Sequence, residues 1–143
     1  MKRLLVLFLV LVTTVFAEVK TELKSYKVTV ENGEVLKTEA QSAAPGDIIQ
    51  YDFLISNGTK EALERINPTI PVPVGTTLLP DKGKPNNYLV STNERDFYPY
   101  PIMEDGKPVD DSAYRLVSWN IEKLDAGKSI NLEIQVKVNG GVN

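Results

Sequence analysis

The chain has 143 residues, with 16 Lys and Arg against 19 Asp and Glu, no His and no Cys. Without Cys there are no disulfides, thiolate nucleophiles, cysteine-ligated metals or lipidated cysteines. Without His the usual proton shuttle near neutral pH, the commonest nitrogen metal ligand and the Ser-His and Cys-His nucleophile pairs are gone. A net charge of −3, with Lys and Glu interspersed, argues against nucleic acid and anionic membranes as partners, since affinity for phosphate rests on a basic face.

Residues 1–17 begin Met-Lys-Arg, continue through an apolar run from Leu4 to Val12 and end Val15-Phe16-Ala17. These are the charged region, apolar region and small-residue cleavage site of a secretory signal peptide, too short to prefer a spanning helix. The expected organisation is a signal peptide over 1–17, one β domain over 18–138 and a flexible tail over 139–143. The expected location is the periplasm or the exterior, with no membrane insertion after cleavage.

Glu18 to Val30 reads as extended, with Val19, Thr21 and Leu23 in one phase and Tyr26, Val28 and Val30 in the next, a shift that a bulge at Lys24-Ser25 would supply. Glu31-Asn32-Gly33-Glu34 is a hairpin signal with Val35 to Thr38 returning, unless Asn32-Gly33 only turns the chain between sheets. Pro45-Gly46-Asp47 is a turn. It introduces the clearest strand, with Ile49, Tyr51, Phe53 and Ile55 on one face and Ile48, Gln50, Asp52, Leu54 and Ser56 on the other, ended by Asn57-Gly58.

Ala62, Leu63 and Ile66 sit at helical offsets, but Asn57-Gly58 and Asn67-Pro68 confine that helix to about eight residues, too few to be stable. Ile66 to Val74 alternates, with prolines at 68, 71 and 73, which suits an edge strand or one crossing between sheets. Asp81 to Asn87 is turn material, Tyr88-Leu89-Val90 a brief strand, and Glu104 to Pro108 another turn. Tyr114 to Leu124 reads as one strand with Val117, Trp119 and Ile121 on one face and Trp119 in the core. After a turn at Leu124 to Ser129, the residues Ile130, Leu132, Ile134, Val136 and Val138 form the closing strand. About seven or eight short strands without an amphipathic helix predict an all-β protein, an immunoglobulin-like two-sheet sandwich of Greek-key type.

Three groups of residues resemble the motifs of the conserved-repeat immunoglobulin-like domain family of unknown function found in bacterial and archaeal surface proteins. They are Pro45, Gly46, Asp47 and Tyr51 with Asn57-Gly58; Ile70-Pro71-Val72-Pro73-Val74-Gly75-Thr76; and Trp119, Leu124, Gly127 with Ile130 to Val138. The resemblance covers about residues 40–138 and carries no catalytic residues to transfer.

No catalytic residues and no cofactor are expected, and the chain reads as a non-enzyme. Glu104, Asp105, Asp110 and Asp111 could offer oxygens to Ca²⁺, but the spacing does not match the helix-loop-helix calcium loop and Lys107-Pro108 interrupts it; a solvated turn is the preferred reading. Tyr88, Phe97, Tyr98 and Tyr100, beside prolines and with Tyr114, form either core packing or a platform for a partner. Asn57-Gly58-Thr59 matches a glycosylation acceptor, against the simpler role of ending a strand. The expected function is that of a non-catalytic structural or assembly module of the cell envelope acting through a protein partner. The alternative is a binding module for a glycan, peptide or small ligand near residues 88–100, with Ca²⁺ as a possible support.

Overall fold

A computed structural model describes residues 18–140. The signal peptide expected over 1–17, and residues 141–143 of the expected tail, lie outside the described residues. In chain order the strands are β1 (Val19–Glu31), β2 (Glu34–Glu39), β3 (Ile48–Asn57), β4 (Leu63–Ile66), β5 (Thr69–Pro71), β6 (Thr76–Leu78), β7 (Leu89–Ser91), β8 (Tyr98–Pro99), β9 (Met103–Glu104), β10 (Lys107–Pro108), β11 (Leu116–Ser118), β12 (Ile121–Leu124) and β13 (Ser129–Val138). No helix among the described residues is long and apolar enough to cross a membrane.

The all-β class is right, but the two-sheet immunoglobulin-like sandwich of about seven or eight strands is not. Among the described residues thirteen strands form four separate sheets: β2-β1-β3-β13-β6, β5-β11-β7-β8, β12-β4 and β10-β9. The physical reason lies in the prolines and in pairing that no local pattern reveals. Leu116–Ser118 pairs with Thr69–Pro71, and Ile121–Leu124 pairs with Leu63–Ile66, in one common antiparallel register. The ladder breaks where Pro68, which has no N–H, faces Trp119. Trp119 N–H still donates to the Pro68 carbonyl at 3.1 Å, and the Ser118 hydroxyl donates to the same oxygen at 3.1 Å. The stretch from Tyr114 to Leu124 is therefore two strands in two sheets, and Ile66 to Val74 crosses between the same two sheets, with β5 at an edge.

The five-stranded sheet grows from β3, whose alternation is strong and whose ends are fixed locally. Gly46, at φ 89°, makes the turn that delivers the chain into β3, and the Asp47 carboxylate accepts from Ala44 N–H at 2.8 Å and pairs with Lys27 at 3.0 Å. Asn32 and Gly33, at φ 52° and 79°, close the β1–β2 hairpin as a two-residue turn, so this element is a hairpin rather than a link between sheets. No bulge interrupts β1: its register with β3 runs unbroken from Val19 opposite Asn57 to Val28 opposite Ile48. The change of phase in the sequence is a change of face. Leu23 lies across from Phe53 on the core side, whereas Tyr26 lies across from Gln50 on the outer side.

Ile49 and Ile55 of β3 and Leu132, Ile134 and Val136 of β13 face Ile70, Val72, Val90, Val117, Tyr114 and Trp119 in one buried cluster. Burial of each such aliphatic side chain stabilises by about 1.5–3 kcal/mol before the cost of ordering it. Trp119 is 1% exposed and its indole N–H donates to the Pro85 carbonyl at 2.9 Å. The Tyr88 ring meets it edge-on, with centroids 6.3 Å apart.

Candidate functional site

Glu104 and Asp105 sit on the β9–β10 hairpin, whose tight turn puts Asp105 at φ 51° and Gly106 at φ 76° and sets Glu104 opposite Lys107. Asp110 caps a short 3-10 turn, accepting from Ser112 N–H at 2.9 Å and from the Ser112 hydroxyl at 2.5 Å. Those two bonds hold its carboxyl below the usual carboxylate range. Asp111 instead accepts from the Tyr100 hydroxyl at 3.1 Å. Glu104, Asp105 and Asp110 share the wall of an open cleft with Lys107, whose ammonium supplies the positive charge there. Among the described residues no group of three or more His, Cys, Asp or Glu side chains is placed to hold a metal ion.

The aromatic residues separate by depth. Tyr88 is buried, its hydroxyl donates to the Pro80 carbonyl, and burial pushes its phenol up to about 12. Phe97 is half-buried. Tyr100 packs edge-on against Tyr114 at 5.7 Å, and the Tyr114 hydroxyl accepts from Ile102 N–H at 3.1 Å. Tyr98 and Met103 are the most exposed of this group, at 52% and 54%. They line one recess with Pro99 and Ile102, while Tyr88 and Tyr100 line another with Asn86 and Asn87. Tyr88 and Tyr100 thus share one recess, Tyr98 lines the other, and Phe97 lines neither.

Sequence reasoning missed the open edge of the large sheet. β2 covers β1 only from Tyr26 to Glu31, and Ala40 N–H reaches the Ser25 carbonyl at 3.1 Å; among the described residues the rest of β1, Val19 to Lys24, pairs with β3 alone. Strand geometry fixes which backbone groups are left over. Glu18 accepts from Gly58 on the β3 side and Ser25 accepts from Ala40 on the other, so the even residues point to β3 and the odd ones outward. The outward N–H and C=O groups of Val19, Thr21 and Leu23 have no partner among the described residues.

Their side chains lie on the core face. Val19 and Thr21 join Phe53, Ile55, Leu63, Ile66 and Pro68 around an apolar cleft of about 330 Å³ between β1 and the β4–β5 segment. Val19 is 42% and Leu23 53% exposed, on a face that is buried farther into the sheet. One local clue was present: the extended stretch from Glu18 to Val30 is far longer than its return from Val35 to Thr38.

No protein-family model, curated protein or solved structure matches this chain.

Proposed function

We propose that this protein is a non-catalytic assembly module of the cell envelope, located in the periplasm or outside the cell, that acts through a protein partner adding a strand to β1. The observation that carries this reading is the exposed edge from Val19 to Lys24, where backbone groups without a partner among the described residues border an apolar cleft. Main-chain bonds to such an edge supply affinity, and alternate side chains entering the cleft supply specificity. The charged side chains of Lys20, Glu22 and Lys24 on the opposite face limit indiscriminate pairing, as charges on natural edge strands do. The absence of Cys and His, with no grouped metal ligands among the described residues, fits a role without a chemical step. The recesses at Tyr98 and Tyr100 support glycan or peptide binding less well, because each presents only part of the aromatic set.

The test is a photo-crosslinking amino acid placed at Thr21 in cells, with the same probe at Lys137 on the far side of the sheet as control. A discrete protein adduct at position 21 and none at 137 is expected. Equal labelling at both positions, or none at either, would sink the reading.

A further inference from the structure

We infer that the strand received by β1 is β1 of a second copy of this chain, paired antiparallel about a two-fold axis at Thr21. The inference rests on the assembly reading above and names its partner. An added strand must offer its outward backbone groups to Val19, Thr21 and Leu23. In an antiparallel pair, directly opposed residues both point toward the seam or both away from it. With the axis at Thr21, Val19 meets Leu23 of the second copy, Thr21 meets Thr21, and Leu23 meets Val19, so every opposed outward residue finds a hydrogen-bonding counterpart.

The charges select the same register. The other face of this edge carries Glu18, Lys20, Glu22 and Lys24. About Thr21, Glu18 faces Lys24 of the second copy and Lys20 faces Glu22, and symmetry repeats both contacts. Opposite charges directly across a seam stabilise it and like charges destabilise it. Moving the axis to Lys20 opposes Lys20 to itself and Glu18 to Glu22. Moving it to Glu22 opposes Glu22 to itself and Lys20 to Lys24. Of the three, only the Thr21 register is complementary.

Space and the apolar face agree with it. Ala40 occupies the position beside Ser25, so an incoming strand can run only as far as the place beside Lys24, and in this register that place is taken by Glu18 of the second copy. Val19 and Leu23 from the second copy fall on the core face, continuing the row of apolar side chains past Val19, Thr21 and Leu23 and closing the mouth of the cleft beside Ile66 and Pro68. The two-fold axis stands perpendicular to the sheet, so the two clefts meet and cover each other.

The experiment is sedimentation equilibrium on the exported protein, with its N-terminus read by mass spectrometry, for the wild type, Lys20→Glu, and the double variant Lys20→Glu with Glu22→Lys. The exchanged charges lie on an exposed face, and Trp119 fluorescence monitors the fold in each variant. A wild-type dimer is expected. Lys20→Glu, which sets a second carboxylate opposite Glu22 at both symmetry-related contacts, should weaken it about tenfold or more, and the double exchange should restore it. Thr21→Cys, in a chain with no other thiol, should form an intermolecular disulfide on oxidation.

A wild-type monomer overturns the inference, as does a dimer indifferent to Lys20→Glu or one that the double exchange fails to restore. A monomer that still gives a discrete heterologous adduct at position 21 in cells would overturn the second copy as partner and leave the assembly reading standing. Absence of both would end both.

Discussion

The side-chain amide of Asn57 donates to the carbonyl of Leu124 at 2.9 Å, joining the end of β3 to the end of β12. The same amide donates to the Glu61 carbonyl at 2.9 Å, and its oxygen accepts from Thr59 N–H at 3.0 Å and from the Thr59 hydroxyl at 2.6 Å. Its backbone is held as well, N–H to the Lys128 carbonyl and C=O from Gly127 N–H. Only 1% of the residue is exposed, so the acceptor sequence Asn57-Gly58-Thr59 presents no free amide to a glycosylation enzyme.

Asn57→Ala is therefore expected to cost about 3 kcal/mol, because several bonds of about 1 kcal/mol each are lost and the buried Leu124 carbonyl is left without its donor. Asn57→Asp should be at least as damaging at neutral pH, since a carboxylate would face two carbonyl oxygens, and it should recover partly in acid as the group protonates. Urea melts measure both. A midpoint within error of wild type for the alanine variant would refute the argument.

Gly83 offers a test in which backbone strain plays no part. Its φ is −67°, which any residue adopts, yet a Cβ there would stand 2.5 Å from Cε1 and 2.7 Å from Cδ1 of the Tyr88 ring. That ring is buried between its bond to Pro80 and its edge contact with Trp119, so it has little freedom to retreat. Gly83→Ala is expected to destabilise by about 1–3 kcal/mol, the range for overpacking a core, and to shift the Trp119 emission. Gly83→Ala with Tyr88→Leu should recover part of the loss relative to Tyr88→Leu alone, and strict additivity in that cycle would exclude the clash.

Phenols withdrawn from water are expected to make stability fall at alkaline pH. Burial raises Tyr88 to about 12 and also raises Tyr51 and Tyr114 above the usual tyrosine value. The unfolded chain ionises these groups near pH 10 while the native chain keeps them protonated, so the unfolded state binds fewer protons and stability falls as pH rises from about 10 to 12. Below about pH 10 the contribution is fully present. The midpoint of urea unfolding should decline over that interval, and Tyr88→Phe, though weaker at neutral pH through loss of the Pro80 bond, should decline less steeply. Parallel declines for the two proteins would show that Tyr88 is not the responsible group.

What the sequence made legible was what is fixed locally. β3 could be read because its alternation and both of its turns lie within one short stretch from Pro45 to Gly58, and the β1–β2 hairpin because Asn-Gly supplies the two positive φ values its turn needs. The division of Tyr114 to Leu124 into two strands could not be read, because the break at Trp119 is imposed by Pro68 on the opposing strand. The same limit hid the open edge. Val19, Thr21 and Leu23 alternate as a covered strand would, and only the pairing of β1 with its neighbours exposes which stretch lacks one. Among the site residues, composition ruled out whole chemistries but could not tell that Tyr88 turns inward while Tyr98 and Met103 turn out.

Trp119 sits at the break between β11 and β12, and it tests whether side-chain packing holds the two short ladders in one register. Its ring is buried against Tyr88, its backbone N–H keeps the bond to Pro68, and its indole N–H reaches the Pro85 carbonyl. Trp119→Ala is expected to cost about 3–5 kcal/mol, since it deletes a large aromatic from a site that can collapse only partly. Trp119→Phe should cost less, about 1–2 kcal/mol, because the ring volume largely remains and Pro85 is exposed enough for water to replace the lost indole donor. Denaturant melts measure the losses, and hydrogen exchange at the amides of Ile121 to Leu124 reports whether β12 and β4 separate first. Packing at Trp119 predicts that Trp119→Ala speeds exchange in β12 before it affects β13. An alanine variant that loses less than about 1 kcal/mol, or a wild-type emission maximum typical of water-exposed indole, would mean that the backbone bonds flanking Pro68 hold the junction without help from the side chain.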